Sequence, residues 1–208
     1  MPNPAVAFVA IAALWCLAAL TAQVWAARGG GRRDFSRPQG NPARGVLYNF
    51  TYAMLPWNKE TARLHPGKLA VGVLLHVGVF WALARVALLT LGHEAGRTAL
   101  AGGWPLGAAG LVAGLYLLVR RAAAPELRAM SAPDDYLAAG ATCGLLAVAG
   151  GASLGPTGET VLLWYTGALL AYLPLGKLRH AVFFFVARAD YGRRLGYRGV
   201  YPPAVGHE

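Results

Sequence analysis

Carboxylates are scarce in this sequence: nine Asp and Glu stand against nineteen Lys and Arg in 208 residues, a formal net charge of +10. Charge of either sign is also thin, at 13% of residues, where a soluble domain carries about 25%. With 56% hydrophobic residues and a mean hydropathy of +0.43, the chain reads as an integral membrane protein. There is no soluble basic domain and no Lys/Arg run interleaved with aromatics, so the positive charge does not point to nucleic acid. Cysteine is limited to Cys16 and Cys143, both inside apolar segments. Without a CxxC pair or a Cys/His cluster, zinc and iron–sulfur ligation within this chain are not expected, and no disulfide is implied. The lack of CxxCH excludes covalent c-type haem attachment. The first apolar stretch lacks a basic leader and is too long for a signal-peptide core, so it is expected to be kept as a transmembrane helix.

What is present is apolar run after apolar run. A span needs about 20 such residues, and five segments qualify: roughly 5–27, 69–92, 103–119, 135–154 and 160–186. The third is short but carries no charge. Basic residues are distributed unevenly between them. Arg28, Arg32, Arg33, Arg37, Arg44, Lys59 and Arg63 fill the first loop, and Arg120, Arg121 and Arg128 the third. Arg188, Arg193, Arg194 and Arg198 follow the last span, whereas the second loop has only Arg97 and the fourth has none. The positive-inside rule then places the N-terminus outside and the C-terminus in the cytoplasm. The expected fold is all-α, a bundle of five transmembrane helices over residues 1–190 with a cytoplasmic tail over 191–208. The basic loops are suited to anionic membrane lipid or an acidic partner.

Two histidines share a depth in this scheme. His76, in "GVLLHVGVFWAL", lies about 10 Å inside the second span at 1.5 Å per residue. His180, in "LPLGKLRHAVFFF", lies about 9 Å inside the fifth, which runs the opposite way. A lone membrane histidine can simply hydrogen-bond a neighbouring helix. Two at one depth on antiparallel helices can ligate a haem iron from opposite faces. His65 is one helical repeat nearer the cytoplasm, but the matching position on the fifth span is near Tyr191; the level of His93 also lacks a partner. One bis-histidine haem b is therefore expected, with His76 and His180 as axial ligands.

Cations sit beside one of these histidines, where hydrocarbon makes charge costly, about 2.5–3.5 kcal/mol each. Lys177 is three residues before His180, on nearly the same helix face, and is expected to pair with a haem propionate. Arg179 points elsewhere and could serve a propionate, a quinone or a partner subunit, or could snorkel to the interface. Glycines recur at Gly103, Gly107, Gly110 and Gly114 in the third span and at Gly140 and Gly144 in the fourth. They allow close helix packing; the alternative is room for a flat cofactor.

"LLHVGVF" and "LPLGKLRHAVFFF" resemble the haem-ligand segments of the respiratory nitrate reductase gamma-subunit family. The stretch "YLLVRRAAAPELRAMSAPDDYLAA" is similar to that family's loop between its third and fourth helices. The approach "MLPWNKETARLHPGK" looks closer to one branch, the gamma-like haem b subunits paired with heterodisulfide-reductase-like iron–sulfur proteins, including membrane subunits of sulfite-reduction complexes. The resemblance implies that His76 and His180 are haem ligands. It also implies a quinone (menaquinone or ubiquinone) as electron partner, a cytoplasmic iron–sulfur subunit, and residence in a bacterial or archaeal cytoplasmic membrane. One departure stands out. The family has a second helix-2 histidine one haem layer further out, where this chain has "WALARVALL", with Arg85 and Val86.

The expected function is thus a haem b anchor subunit of a respiratory oxidoreductase complex, carrying electrons between quinone and iron–sulfur partner and not catalytic alone. Two rivals are a cofactor-free anchor or assembly subunit and a small transporter, the latter expected to show an inverted repeat or paired broken helices.

Overall fold

A computed structural model describes residues 3–29 and 37–203. Arg32, Arg33 and His207, invoked above or below, lie outside the described residues. Among those described there is no strand, and 84% of the structure is helix. Ten α-helices follow one another: α1 (Pro4–Gly29), α2 (Pro42–Phe50), α3 (Glu60–Leu64), α4 (Pro66–Thr90), α5 (Glu94–Ala101), α6 (Trp104–Ala123), α7 (Pro125–Ala129), α8 (Pro133–Gly151), α9 (Pro156–Tyr172) and α10 (His180–Tyr197). Seven of them begin with a proline at or next to their first residue, in α1, α2, α4, α6, α7, α8 and α9. Proline suits the first turn because its missing N–H would have no partner there and its φ is already helical.

Among the described residues four helices are long and apolar enough to cross a membrane: Pro4–Arg28, Pro66–Thr90, Trp104–Ala123 and Pro133–Leu154. They match the first four expected spans. A fifth exists only if Pro156–Tyr172 and Lys177–Tyr197 are counted together as one broken span. The span expected over 160–186 is broken at the proline that already interrupts it in the sequence. Pro174 lacks an N–H and its ring clashes with the preceding turn, so α9 ends at Tyr172 and helix resumes only with a 3-10 turn at Lys177–Arg179. The depth of His180, counted at a constant helical rise, therefore loses its ruler. The chain has the makeup of a multi-pass membrane protein: Ile11, Leu14, Leu17, Phe80, Val112 and Val119 are all more than 60% exposed. Water would penalise such a surface, whereas lipid tails do not.

The chain divides into two compact units, Met1–Ala19 with Gly67–Leu178, and Leu20–Pro66 with Arg179–Glu208. In the first, the core gathers Ala5 and Val9 of α1, Trp81, Ala82 and Val86 of α4, Leu145, Leu146 and Ala149 of α8, and Leu162 and Leu163 of α9. α4 and α6 meet backbone to backbone: a Cβ on Gly78 would fall 2.9 Å from the Cα of Gly110, too close for any side chain. Gly103 and Gly107 are covered by the Trp81 ring, Gly114 by Cys143, and Gly144 by Tyr165. Those glycines sit in close helix packing, whereas a Cβ on Gly140 would meet nothing within 4 Å.

In the second unit α2 lies against α10. Asn41 caps α2, its Oδ1 accepting from Ala43 N and Arg44 N at 2.9 and 3.2 Å. Gly45 of α2 faces Gly192 and Gly196 of α10 so closely that a Cβ on Gly45 would fall 2.5 Å from the Gly196 Cα. A reciprocal clamp completes the pair. Arg188 donates from Nε and Nη2 to the Asn49 carbonyl at 3.1 and 2.6 Å, and the Asn49 amide donates back to the Arg188 carbonyl at 2.7 Å. α10 runs through Tyr197, past the tail boundary expected at residue 190.

Candidate functional site

His76 stands on α4 with its ring exposed. Its Nδ1 is 2.7 Å from the carbonyl oxygen of Gly72, one turn earlier. A carbonyl can only accept, so Nδ1 carries the proton and donates, and Nε2 presents its lone pair away from the helix backbone. Nε2 has no protein partner among the described residues. This is the imidazole form that binds metals, with the second nitrogen pinned by a backbone acceptor. Glycine at position 72 keeps the helix surface around the ring open, since a Cβ there would meet nothing within 4 Å.

His180 opens α10 and is exposed. It follows Arg179, whose exposed side chain has no hydrogen-bonding or charged partner among the described residues. His76 belongs to the first unit, and His180 and Arg179 to the second. Among the described residues no group of three or more His, Cys, Asp or Glu could hold a metal ion; a bis-histidine haem draws on two.

The structure gives Lys177 a partner that was not expected. Its ammonium pairs with Asp135 Oδ2, and its backbone N–H donates to Asp134 Oδ2 at 2.8 Å. The Tyr172 hydroxyl donates to the other oxygen of Asp134. Asp135 also accepts from Ala132 N at 2.9 Å and lies 3.7 Å from Arg121 Nη1. The two aspartates open α8, where the positive end of the helix dipole favours them. From there they reach across to the break after α9. Inside it, the Tyr172 ring lies so close over Gly176 that a Cβ would collide with it. The break is a latched elbow, and Lys177 is one of its pins, its charge balanced by a carboxylate of its own chain.

If the pair acts as one unit, Lys177→Met and Asp135→Asn should each raise amide hydrogen exchange over residues 173–179 by a similar factor. The double substitution should add little to either, because both remove the same interaction. Additive effects would show that Lys177 stabilises the elbow through something other than Asp135.

A second charged residue lies inside a candidate span. Arg85 of α4 is 4% exposed. Its Nη1 donates to the Ala149 carbonyl at 2.9 Å and to Ser153 Oγ at 2.6 Å, and its guanidinium lies 5.4 Å from the centre of the Trp81 ring. Ala149 is in the last turn of α8, where carbonyls lose their intrahelical donors. Arg85 thus caps α8 from a neighbouring helix. The sequence flagged Arg85 only as a departure. Comparison of the chain with protein-family models, curated proteins and solved structures finds no match in any of the three.

Proposed function

We propose that this chain is a haem b membrane subunit of a respiratory oxidoreductase complex, passing electrons between a membrane quinone and a cytoplasmic iron–sulfur partner. The observation that carries the reading is His76: an exposed imidazole on an apolar helix, its Nδ1–H held by Gly72 and its Nε2 left as a lone-pair donor. A histidine kept for helix packing would hydrogen-bond a neighbouring helix, whereas the His76 bond is to its own helix.

In this reading His76 and His180 are the axial ligands, and Arg179 supplies positive charge toward the propionates. Lys177 contributes less than a free lysine would, because Asp135 offsets its charge. The haem, when bound, supplies a one-electron couple; the chain supplies ligation, orientation and the surrounding charge. Orientation follows the basic loops, with Arg120, Arg121 and Arg128 on the cytoplasmic side, where an acidic face of a soluble partner would meet them. The resemblance to nitrate reductase gamma subunits supports the quinone and the iron–sulfur partner in this scheme.

The test is a visible spectrum of the dithionite-reduced protein purified from membranes. A low-spin b-type spectrum is expected. Absence of a Soret band from protein expressed with adequate haem would choose the cofactor-free anchor. The same preparation gives the stoichiometry. One haem per chain is expected by pyridine haemochrome, because the sequence offers only one depth-matched histidine pair. Two would mean that His65 or His93, or a partner's residue, completes another ligand pair.

A further inference from the structure

The second unit contains a cleft of about 470 Å³ between α2, α10 and the turns at Tyr52–Met54 and Pro56–Asn58. Tyr48, Lys59, Phe184, Arg188, Tyr191 and Tyr201 define its walls. Three features of this lining point the same way. It contains two cations and no carboxylate. Among the described residues the one hydrogen-bond acceptor of the Lys59 ammonium is the Met54 sulfur, at 3.8 Å, a weak acceptor. Arg188 spends Nε and Nη2 on Asn49 and lies over the Phe184 ring at 5.5 Å, which holds the guanidinium rigid and leaves Nη1 uncommitted. Neither cation has a carboxylate partner among the described residues; Asp190, close to Arg188 in sequence, pairs with Arg193 and Arg194 instead.

The neutral groups agree. The hydroxyls of Tyr48, Tyr191 and Tyr201 have no protein partner among the described residues. Burial, with Tyr201 and Tyr52 nearby, pushes the Tyr48 phenol above its ordinary range. A cleft with two uncompensated positive charges and three unspent hydroxyls fits an oxyanion with several acceptor oxygens.

Its setting fits a lipid. α10 changes from AVFFFVA to RADYGRR at Arg188, the composition change that marks a membrane–water boundary. Phe184 and Phe185, one turn before it, are 40% and 59% exposed and offer apolar surface beside the charges.

We propose that this cleft binds the phosphate of an anionic phospholipid, with Lys59 and Arg188 Nη1 as its cations and the tyrosine hydroxyls as donors. The acyl chains follow the exposed phenylalanines of α10. The inference does not depend on haem, so a protein without a Soret band would leave it standing.

The full-length protein in detergent, exchanged into phosphatidylglycerol or phosphatidylcholine, is examined by native mass spectrometry for retained lipid. Wild type should retain phosphatidylglycerol preferentially. Lys59→Gln loses only a thioether contact in the free protein and should weaken that retention about tenfold, the worth of one charge-assisted hydrogen bond. Tyr191→Phe, on an exposed ring, should weaken it by a smaller factor, and Arg198→Gln, outside the cleft, should leave it unchanged. Equal retention of the two lipids, or an undiminished preference in Lys59→Gln, overturns the proposal. So does a preference abolished by millimolar inorganic phosphate, which would assign the cleft to a soluble phosphate. Protection of the cleft by an acidic peptide but not by phosphatidylglycerol would likewise overturn it.

Discussion

Replacing His76 with alanine should abolish the low-spin haem b spectrum, and replacing His180 should do the same. A six-coordinate site cannot outlive the loss of either axial imidazole, so the expected effect is total rather than graded. The local structure makes the His76 result interpretable. The ring is exposed, and its one hydrogen bond is to its own helix, at Gly72. Removing it should leave the haem-free fold intact, since an exposed side chain away from any buried network is usually worth within about 0.5 kcal/mol. A bound haem stabilises the folded state by mass action, so the comparison is with haem-free wild type: a His76→Ala melting curve that matches it separates lost ligation from unfolding. His93→Ala and His207→Ala should keep the spectrum. A wild-type low-spin spectrum in either His76→Ala or His180→Ala would remove that residue from the ligand set.

The helical membrane architecture was legible in the sequence because its signals are strong. Long uncharged runs have no alternative in a bilayer, and prolines mark where the helices begin. The break in the fifth span was half legible. Pro174 was visible, but whether a proline kinks a helix or ends it depends on what receives the freed backbone groups. Here Asp134 accepts from Lys177 N, forty-three residues away in the chain, and no local pattern announces such a partner. The same long-range pairing reassigns Lys177. Read alone, a lysine inside an apolar segment asks for an anion, and a haem propionate is one answer. The structure supplies Asp135, whose place at the start of α8 was seen in "SAPDDY" but whose reach was not. The Lys59 and Arg188 cleft was invisible for a similar reason. Its two cations were read as loop and tail charges that set orientation, and only the close approach of α2 to α10 at Gly45, Gly192 and Gly196 brings them to one opening.

Substitution of Arg85 should produce the largest stability change in the chain, and its size should depend on which side chain replaces it. Arg85→Ala removes the bonds to Ala149 and Ser153 and also empties a large volume among Trp81, Ala149 and Ser153. Large-to-small changes at buried sites cost about 2–5 kcal/mol because the surroundings relax only partly. Arg85→Met keeps most of the bulk and loses the cap on α8; an acceptor left without its donor costs about 1–3 kcal/mol. Ser153→Ala leaves Arg85 its bond to the Ala149 carbonyl and should cost less than either. The order Ala, then Met, then Ser153→Ala, read from melting temperatures in one detergent, tests the cap. Burying a guanidinium has its own desolvation cost, and replacing buried charges with apolar groups of equal size is in some proteins stabilising. A methionine variant as stable as wild type would therefore show that Arg85 is not retained for its cap. Haem content supplies the independent check. Arg85 is nine residues beyond His76 on α4, about 13 Å along the helix axis, so Arg85→Met should leave one haem per chain whether or not the bundle softens.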